Sequence, residues 1–215
     1  MKQYKHIIWD WNGTLLDDLQ MSIDALNTIL VSEQMEIVTD VDEYKRIFQF
    51  PVIRYYEAIG FDFHKTPFSE LAKRYMAYYQ PHSLSCKLQT GAIELLQALK
   101  KADYRLTLLS ASDLSFLHVQ LSQYPDLEGI FDEVLGLDHI HADSKQSLAI
   151  KFVQTLKHPE KVLFIGDSVH DYEVASASGC DCLLVGCGHE HVDKLKQCDC
   201  DYVEHLSDVA NRLLG

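Results

Sequence analysis

A short apolar run that ends on a carboxylate, Lys5-His6-Ile7-Ile8-Trp9-Asp10, followed at once by Trp11-Asn12-Gly13-Thr14-Leu15, constrains this chain more than any other segment. The run reads as a buried strand closed by a Gly-Thr turn signal. Such a strand delivers Asp10 to the carboxyl edge of a sheet. A carboxylate there can act as a nucleophile, a metal ligand or both, or it can simply cap the turn that follows.

The pattern recurs. β-type runs at 5–9, 104–109, 133–135, 161–165, 182–185 and 202–203 alternate with amphipathic stretches. Residues 92–100 carry Ile93, Leu95, Leu96 and Leu99 at helical spacing, and 148–156 carry Leu148, Phe152, Val153 and Leu156. Such alternation requires right-handed crossovers and predicts an α/β, Rossmann-like, doubly wound and mostly parallel sheet. Residues 17–86 break the alternation and read as helices throughout. Met21, Ile23, Ala25, Leu26, Ile29 and Leu30 make one apolar face, and Thr39-Asp40 forms an N-cap signal before Tyr44, Ile47 and Phe48. The expected organisation is a core from 1–16 and 87–215 with an all-helical insertion at 17–86. The stripe Tyr75, Tyr78 and Tyr79 is expected to pack within the insertion and over its surface, because aromatics at helical spacing usually pack.

The formal net charge of -13 argues against nucleic-acid and acidic-membrane partners. An anionic substrate would then need a local cation, either Mg²⁺ or a well-placed lysine. No run approaches the ~18 apolar residues of a membrane span. Met1-Lys2-Gln3-Tyr4 leads into the first strand without a signal-peptide pattern, so a cytoplasmic enzyme is expected. Five of the six cysteines, Cys180, Cys182, Cys187, Cys198 and Cys200, crowd the last quarter together with His189 and His191. Their spacing lacks the Cys-x₂-Cys pairs of zinc sites, which favours reduced, partly buried thiols over a metal cluster.

The segments Asp10-Trp11-Asn12-Gly13-Thr14 and Gly166-Asp167-Ser168-Val169-His170-Asp171 give the chain a specific resemblance. With the helical insertion after the first strand, the chain resembles the haloacid dehalogenase-like hydrolases, in particular their phosphoglycolate phosphatase-like branch. The resemblance implies a Mg²⁺-dependent hydrolase of a small phosphorylated metabolite, with a helical cap over the site. It makes Asp10 the nucleophile that accepts the phosphoryl group, and Ser110, with Ser112 a second candidate, a phosphoryl-oxygen donor. It makes Lys145, in Ala142-Asp143-Ser144-Lys145-Gln146, the lysine that stabilises transition-state charge, with Lys151 a rival. Asp167 and Asp171 stand one helical turn apart, so both can face one point, and oxygen ligands suit Mg²⁺. Taken alone, the pair could equally be an N-cap and a solvated acid. Mg²⁺ is expected on Asp10, the Asn12 main-chain carbonyl, Asp167 and Asp171. Gln49 and Arg54 are the cap's candidates for choosing the substrate, with phosphoglycolate the branch's default.

The chain departs from the family's Asp-x-Asp-Gly-Thr at Asn12. The second Asp of that pattern protonates the leaving oxygen and then activates water, and an amide does neither near neutral pH. Loss of such help costs roughly 10²–10⁴-fold. A slowed phosphatase is therefore expected, ahead of a dehalogenase- or phosphonatase-like hydrolase and of a non-catalytic phospho-ligand-binding protein. A phosphonatase would need a cap lysine, for which Lys45, Lys65 and Lys73 are available; a dehalogenase would present arginine.

Overall fold

The computed structural model describes residues 4–138 and 144–215; residues 1–3 and 139–143, which include Ala142 and Asp143 of the segment before Lys145, lie outside the described residues. Strand β1 (His6–Trp9) leads into a short strand β2 (Leu16–Asp17) and then four helices, α1 (Leu19–Ser32), α2 (Val41–Ile47), α3 (Val52–Ile59) and α4 (Phe68–Ser83). The chain returns through β3 (Lys87–Leu88), α5 (Ala92–Lys101), β4 (Arg105–Asp113), α6 (Leu114–Leu121) and β5 (Glu133–Leu137). It ends with α7 (Lys145–Thr155), β6 (Val162–Gly166), α8 (Val169–Ser178), β7 (Asp181–Val185), α9 (Val192–Leu195), β8 (Asp201–Val203) and α10 (Leu206–Leu214).

Six strands form one sheet in the order β5-β4-β1-β6-β7-β8, every neighbouring pair parallel. This is the doubly wound α/β architecture that the alternation predicts. Side chains alternate across β1, so Ile7 and Trp9 join Leu106, Leu108, Leu163 and Ile165 under α5, α6 and α10. Ile8 turns the other way, toward Phe164 and Leu184 under α7 and α8. All of β1 is buried, which explains its unbroken apolar run. No helix among the described residues is long and apolar enough to cross a membrane.

The helical insertion has its own core of Ile23, Leu26, Ile29, Leu30, Tyr44, Tyr55, Tyr56, Phe61 and Leu71. Asp40 caps α2, its side chain accepting from the Asp42 N–H at 2.9 Å. Where the chain leaves and rejoins the core, β2 and β3 pair antiparallel, Leu16 with Leu88 and Asp17 with Lys87.

Two boundaries of the sheet and its flanking helices shift from the sequence reading by three residues or more. β4 runs on to Asp113 past an irregularity after Leu109, because Asp113 pairs again with Leu137. Helix α7 begins at Lys145 rather than at 148, because the Ser144 side chain caps it, accepting from the Ser147 N–H at 3.1 Å.

His6 sits almost wholly buried on β1, its Nε2 2.7 Å from Thr107 Oγ1 and its ring edge-on to Phe152. Burial first, and then the nearby Arg105, push the imidazole down to about 4. The folded protein thus keeps His6 neutral where the unfolded chain, near 6.5, takes up a proton. Stability is fully present above about pH 6.5 and falls as pH drops toward 4, by on the order of 3 kcal/mol from this group. Urea midpoints should therefore fall between pH 7 and pH 4.5, and His6→Gln should flatten that slope. An unchanged slope in the variant would contradict the assignment.

Candidate active site

β1 ends with its ladder still engaged, the Asp10 N–H donating to the Ile165 carbonyl at 2.9 Å. The chain must then turn sharply, and Gly13 adopts a left-handed φ of 78°. A Cβ at Gly13 would lie 2.5 Å from Asp167 Oδ2, so only glycine lets this turn approach the neighbouring strand end. Thr14 Oγ1 bridges the two acids, 3.0 Å from Asp10 Oδ2 and 2.8 Å from Asp167 Oδ1.

β6 delivers Asp167 in the same layer, and α8 starts directly after it. Ser168 and Asp171 form a capping box, and Asp171 Oδ2 accepts from Ser168 N, Ser168 Oγ and Asp167 N at 2.6–3.2 Å. Its other oxygen accepts from Lys145 Nζ at 2.6 Å. Lys145, held on the first turn of α7, also donates to Asp10 Oδ1 and is only 5% exposed. From β4, Ser110 and Ser112 reach Asn12 Oδ1 at 3.4 and 3.1 Å.

Asp10, Asn12, Ser110, Ser112, Lys145, Asp167 and Asp171 all line one cavity of about 420 Å³ between the sheet edge and the helical insertion. Gln49 and Arg54 do not line it. Gln49 faces a separate groove beside Glu190 and Lys194. Arg54 lies exposed on α3, paired with Glu57 at 2.9 Å. Lys151 is exposed on α7, and Lys45, Lys65 and Lys73 also lie outside the cavity lining. Tyr75 and Tyr79, expected to be packing residues, do pack but also line the cavity, since α4 presents them on the insertion's concave side. Tyr78 stacks on His82 instead.

Two residues absent from the sequence reading of the site stand within it. Asp18 precedes α1 but makes no capping bond. Its carboxylate turns inward to accept from Gly13 N (2.8 Å), Asn12 Nδ2 (3.0 Å), Tyr79 OH (2.5 Å) and His189 Nε2 (3.1 Å). His189 also meets Tyr44 OH at 3.1 Å, and its N–H donates to Asp167 Oδ2 at 2.7 Å. The available signal was Gly188, where any Cβ would overlap the Asp167 carboxylate. Asp18, next to Asp17 at a helix start, reads as an ordinary cap and carried no signal.

The electrostatics are lopsided. Burial, with Asp171 and Asp167 nearby, pushes Asp10 up to about 8 despite the pull of Lys145. Burial also opposes charge on Asp171, but Lys145 and Ser168 outweigh it and hold this carboxyl below its usual range. Lys145 is likewise opposed by burial, yet Asp10 and Asp171 hold it firmly protonated. Burial disfavours charge on His189 and Asp18, but each favours the charged form of the other, raising the imidazole and lowering the carboxyl.

Asp10, Asp167 and Asp171 offer oxygens all within 4.8 Å of one another, and they are the only such trio of histidine, cysteine or acidic side chains among the described residues. The Cys- and His-rich segment 180–200 forms no comparable group among them. Were all three ionised, they would set three negative charges against one ammonium in a buried space, a surplus that a divalent cation would balance. Hard oxygen donors of this kind suit Mg²⁺.

A family model described as haloacid dehalogenase-like hydrolase matches residues 7–185. Phosphoglycolate phosphatase 1 of Pseudomonas aeruginosa is 27% identical over 117 residues, which span 54% of this chain and 42% of that protein. A haloacid dehalogenase-like family hydrolase from Streptococcus pneumoniae superposes over the full length of both chains, with a TM-score of 0.83 and 22% identity. A predicted phosphatase from Clostridium acetobutylicum does so over 99% of each chain, with a TM-score of 0.82 and 19% identity. These last two likenesses speak to the fold; the family match over most of the length, on the strand ends that carry Asp10 and Asp167, shows that the chain belongs to the haloacid dehalogenase-like hydrolases.

Proposed function

We propose that this chain is a Mg²⁺-dependent phosphatase that cleaves small phosphomonoesters through an aspartyl-phosphate on Asp10. The observation that carries the reading is the placement of Asp10 within reach of Lys145, beside Asp167 and Asp171, on the floor of a cavity closed by helices. The name of the Pseudomonas aeruginosa relative points to the same chemistry. The other hydrolases of the superfamily find less support. Among the described residues lining the cavity there is no arginine, and Lys145 is the one lysine.

Mg²⁺ held by Asp10, Asp167, Asp171 and the Asn12 carbonyl would supply charge neutralisation for the carboxylates and the phosphoryl group. A carboxylate oxygen of Asp10 attacks phosphorus, and the bond to the ester oxygen breaks with its electrons leaving on that oxygen, which takes its proton from water. Lys145, with the Ser110 hydroxyl, stabilises negative charge on the phosphoryl oxygens in flight. Water then attacks the aspartyl-phosphate, releasing inorganic phosphate and restoring Asp10. The helices above keep bulk water away, which strengthens each charge interaction.

Asn12 sets the pace. Its amide donates to Asp18 and to Tyr79 OH, at 3.0 and 2.6 Å, and accepts from Ser112, so it is held in one orientation. It can orient water and the leaving oxygen but supplies no proton. An aspartate there would face Asp18 at hydrogen-bond distance, and two such carboxyls retain one proton between them. That proton is the missing acid.

Phosphate release from a panel of phosphomonoesters with Mg²⁺ should be abolished by Asp10→Asn and raised on the order of 10²-fold by Asn12→Asp. Activity surviving Asp10→Asn would remove Asp10 from the role of nucleophile. Metal binding has its own readout. At a hundredfold excess over Kd, Mg²⁺ should stabilise the fold by about 2.7 kcal/mol and raise Tm by several degrees. Asp167→Asn should erase that shift, and an equal shift in the variant would place the cation elsewhere.

A further inference from the structure

The phosphoryl machinery occupies only the sheet edge of the cavity. The remaining wall comes from the helical insertion and is apolar and largely aromatic, with Tyr44, Phe48, Tyr55, Phe68, Tyr75 and Met76 among its residues. The whole volume, about 420 Å³, lies in the range of pockets that enclose an organic ligand rather than a bare anion, roughly 300–1,000 Å³.

Charge sharpens the contrast. Five carboxylates line the cavity: Asp10, Asp18, Asp113, Asp167 and Asp171. Against them stand Lys145, already shared by Asp10 and Asp171, and two imidazoles. His189 is engaged by Asp18 and Tyr44, and the His170 ring stacks on Phe50 with centroids 4.8 Å apart. A second anionic group on a substrate, such as the glycolate carboxylate of the branch's default, would find no cation on the insertion's wall and only neutral donors there, such as the Tyr55 hydroxyl. Burying a carboxylate without a partner costs several kcal/mol. At the rim, two large apolar side chains stay open to solvent, Phe50 at 39% and Met76 at 38%. Both also line the cavity, so its apolar character extends to its mouth.

We infer that this site takes phosphomonoesters whose alcohol carries an uncharged aromatic ring, seated against the insertion's aromatic wall, and not phosphorylated carboxylic acids; the inference rests on the phosphatase reading above. Flat rings pack edge-to-face or offset against such walls, gaining specificity beyond the area they bury. Specificity resides in apolar residues of α3 and α4 and in the segment around Phe48, with Met76 a determinant at the rim.

The test separates cap preference from turnover. Benzyl phosphate, ethyl phosphate and phosphoglycolate all release a primary alcohol, so their ranking reports contacts to the alcohol rather than leaving-group strength. With Mg²⁺, kcat/KM for benzyl phosphate should exceed that for ethyl phosphate at least about tenfold, and phosphoglycolate should be no better than ethyl phosphate. Calorimetric titration of the native protein and Mg²⁺ with benzylphosphonate, methylphosphonate and phosphonoacetate should give the same order without catalysis. Met76→Lys, at a solvent-open helical position that accepts lysine, should weaken benzylphosphonate and strengthen phosphonoacetate, with the melting temperature checked alongside. Hydrolysis or binding that favours the carboxylate compounds in the native protein would overturn the inference and leave the phosphatase reading standing. The expected binding order without turnover of any ester would do the reverse.

Discussion

Three acidic side chains, Asp10, Asp167 and Asp171, crowd one buried point where the Lys145 ammonium pairs with only two of them, Asp10 and Asp171, and that crowding governs the arrangement around them. Such crowding survives folding only if each oxygen has a donor. The chain supplies these locally: Thr14 between Asp10 and Asp167, the Ser168 capping box on Asp171, and the His189 N–H on Asp167. A parallel sheet is well suited to this task, because adjacent strands end in one layer and the helices that follow present free N–H groups there. Asp10 and Asp167 are thus neighbours by sheet order, β1 beside β6, although 156 residues intervene between them in sequence. Burial first, and then the neighbouring acids Asp171 and Asp167, make Asp10 a poor acid to ionise on its own, and a divalent cation is chemically apt at this point.

Much of this was legible in the sequence because burial on both faces leaves a plain signature. The runs that became β1, β6 and β7 are short, apolar and bounded by turns, so their existence and parallel order followed from alternation with helices. Sheet order was not legible, since nothing local tells β1 that it lies between β4 and β6. The start of α7 was misplaced by three residues because a single serine, Ser144, extends the helix past its apolar face. Asp18 and His189, 171 positions apart, pair only after the insertion and the loop past β7 meet. No window of sequence contains both.

The insertion illustrates a different limit. Polar residues, Gln49 and Arg54, looked like the natural choosers of substrate, yet neither lines the cavity: Gln49 lines an adjoining groove and Arg54 pairs with Glu57. A small helical unit has two apolar demands, its own core and the face it turns to the active site. The tyrosines of α4 serve both, Tyr75 stacking on Tyr79 while each also lines the cavity. Aromatic side chains can do this because they bury a large area and still present a polar tip, as Tyr79 does to Asp18 and Asn12. Periodicity alone does not distinguish such residues from ordinary core.

Asn12 ties the chemistry to a direct observation. With an ester whose alcohol leaves without needing a proton, such as an activated aryl phosphate, loss of the group that activates water makes breakdown of the covalent intermediate the slow half of the cycle, and the intermediate accumulates. Acid quench of the native protein with a radiolabelled ester of this kind and Mg²⁺, followed by peptide mapping, measures this. Label on the peptide that contains Asp10, released by hydroxylamine and diminished in Asn12→Asp, is the predicted result. Steady phosphate release with no label at Asp10, or label on another residue, would contradict it.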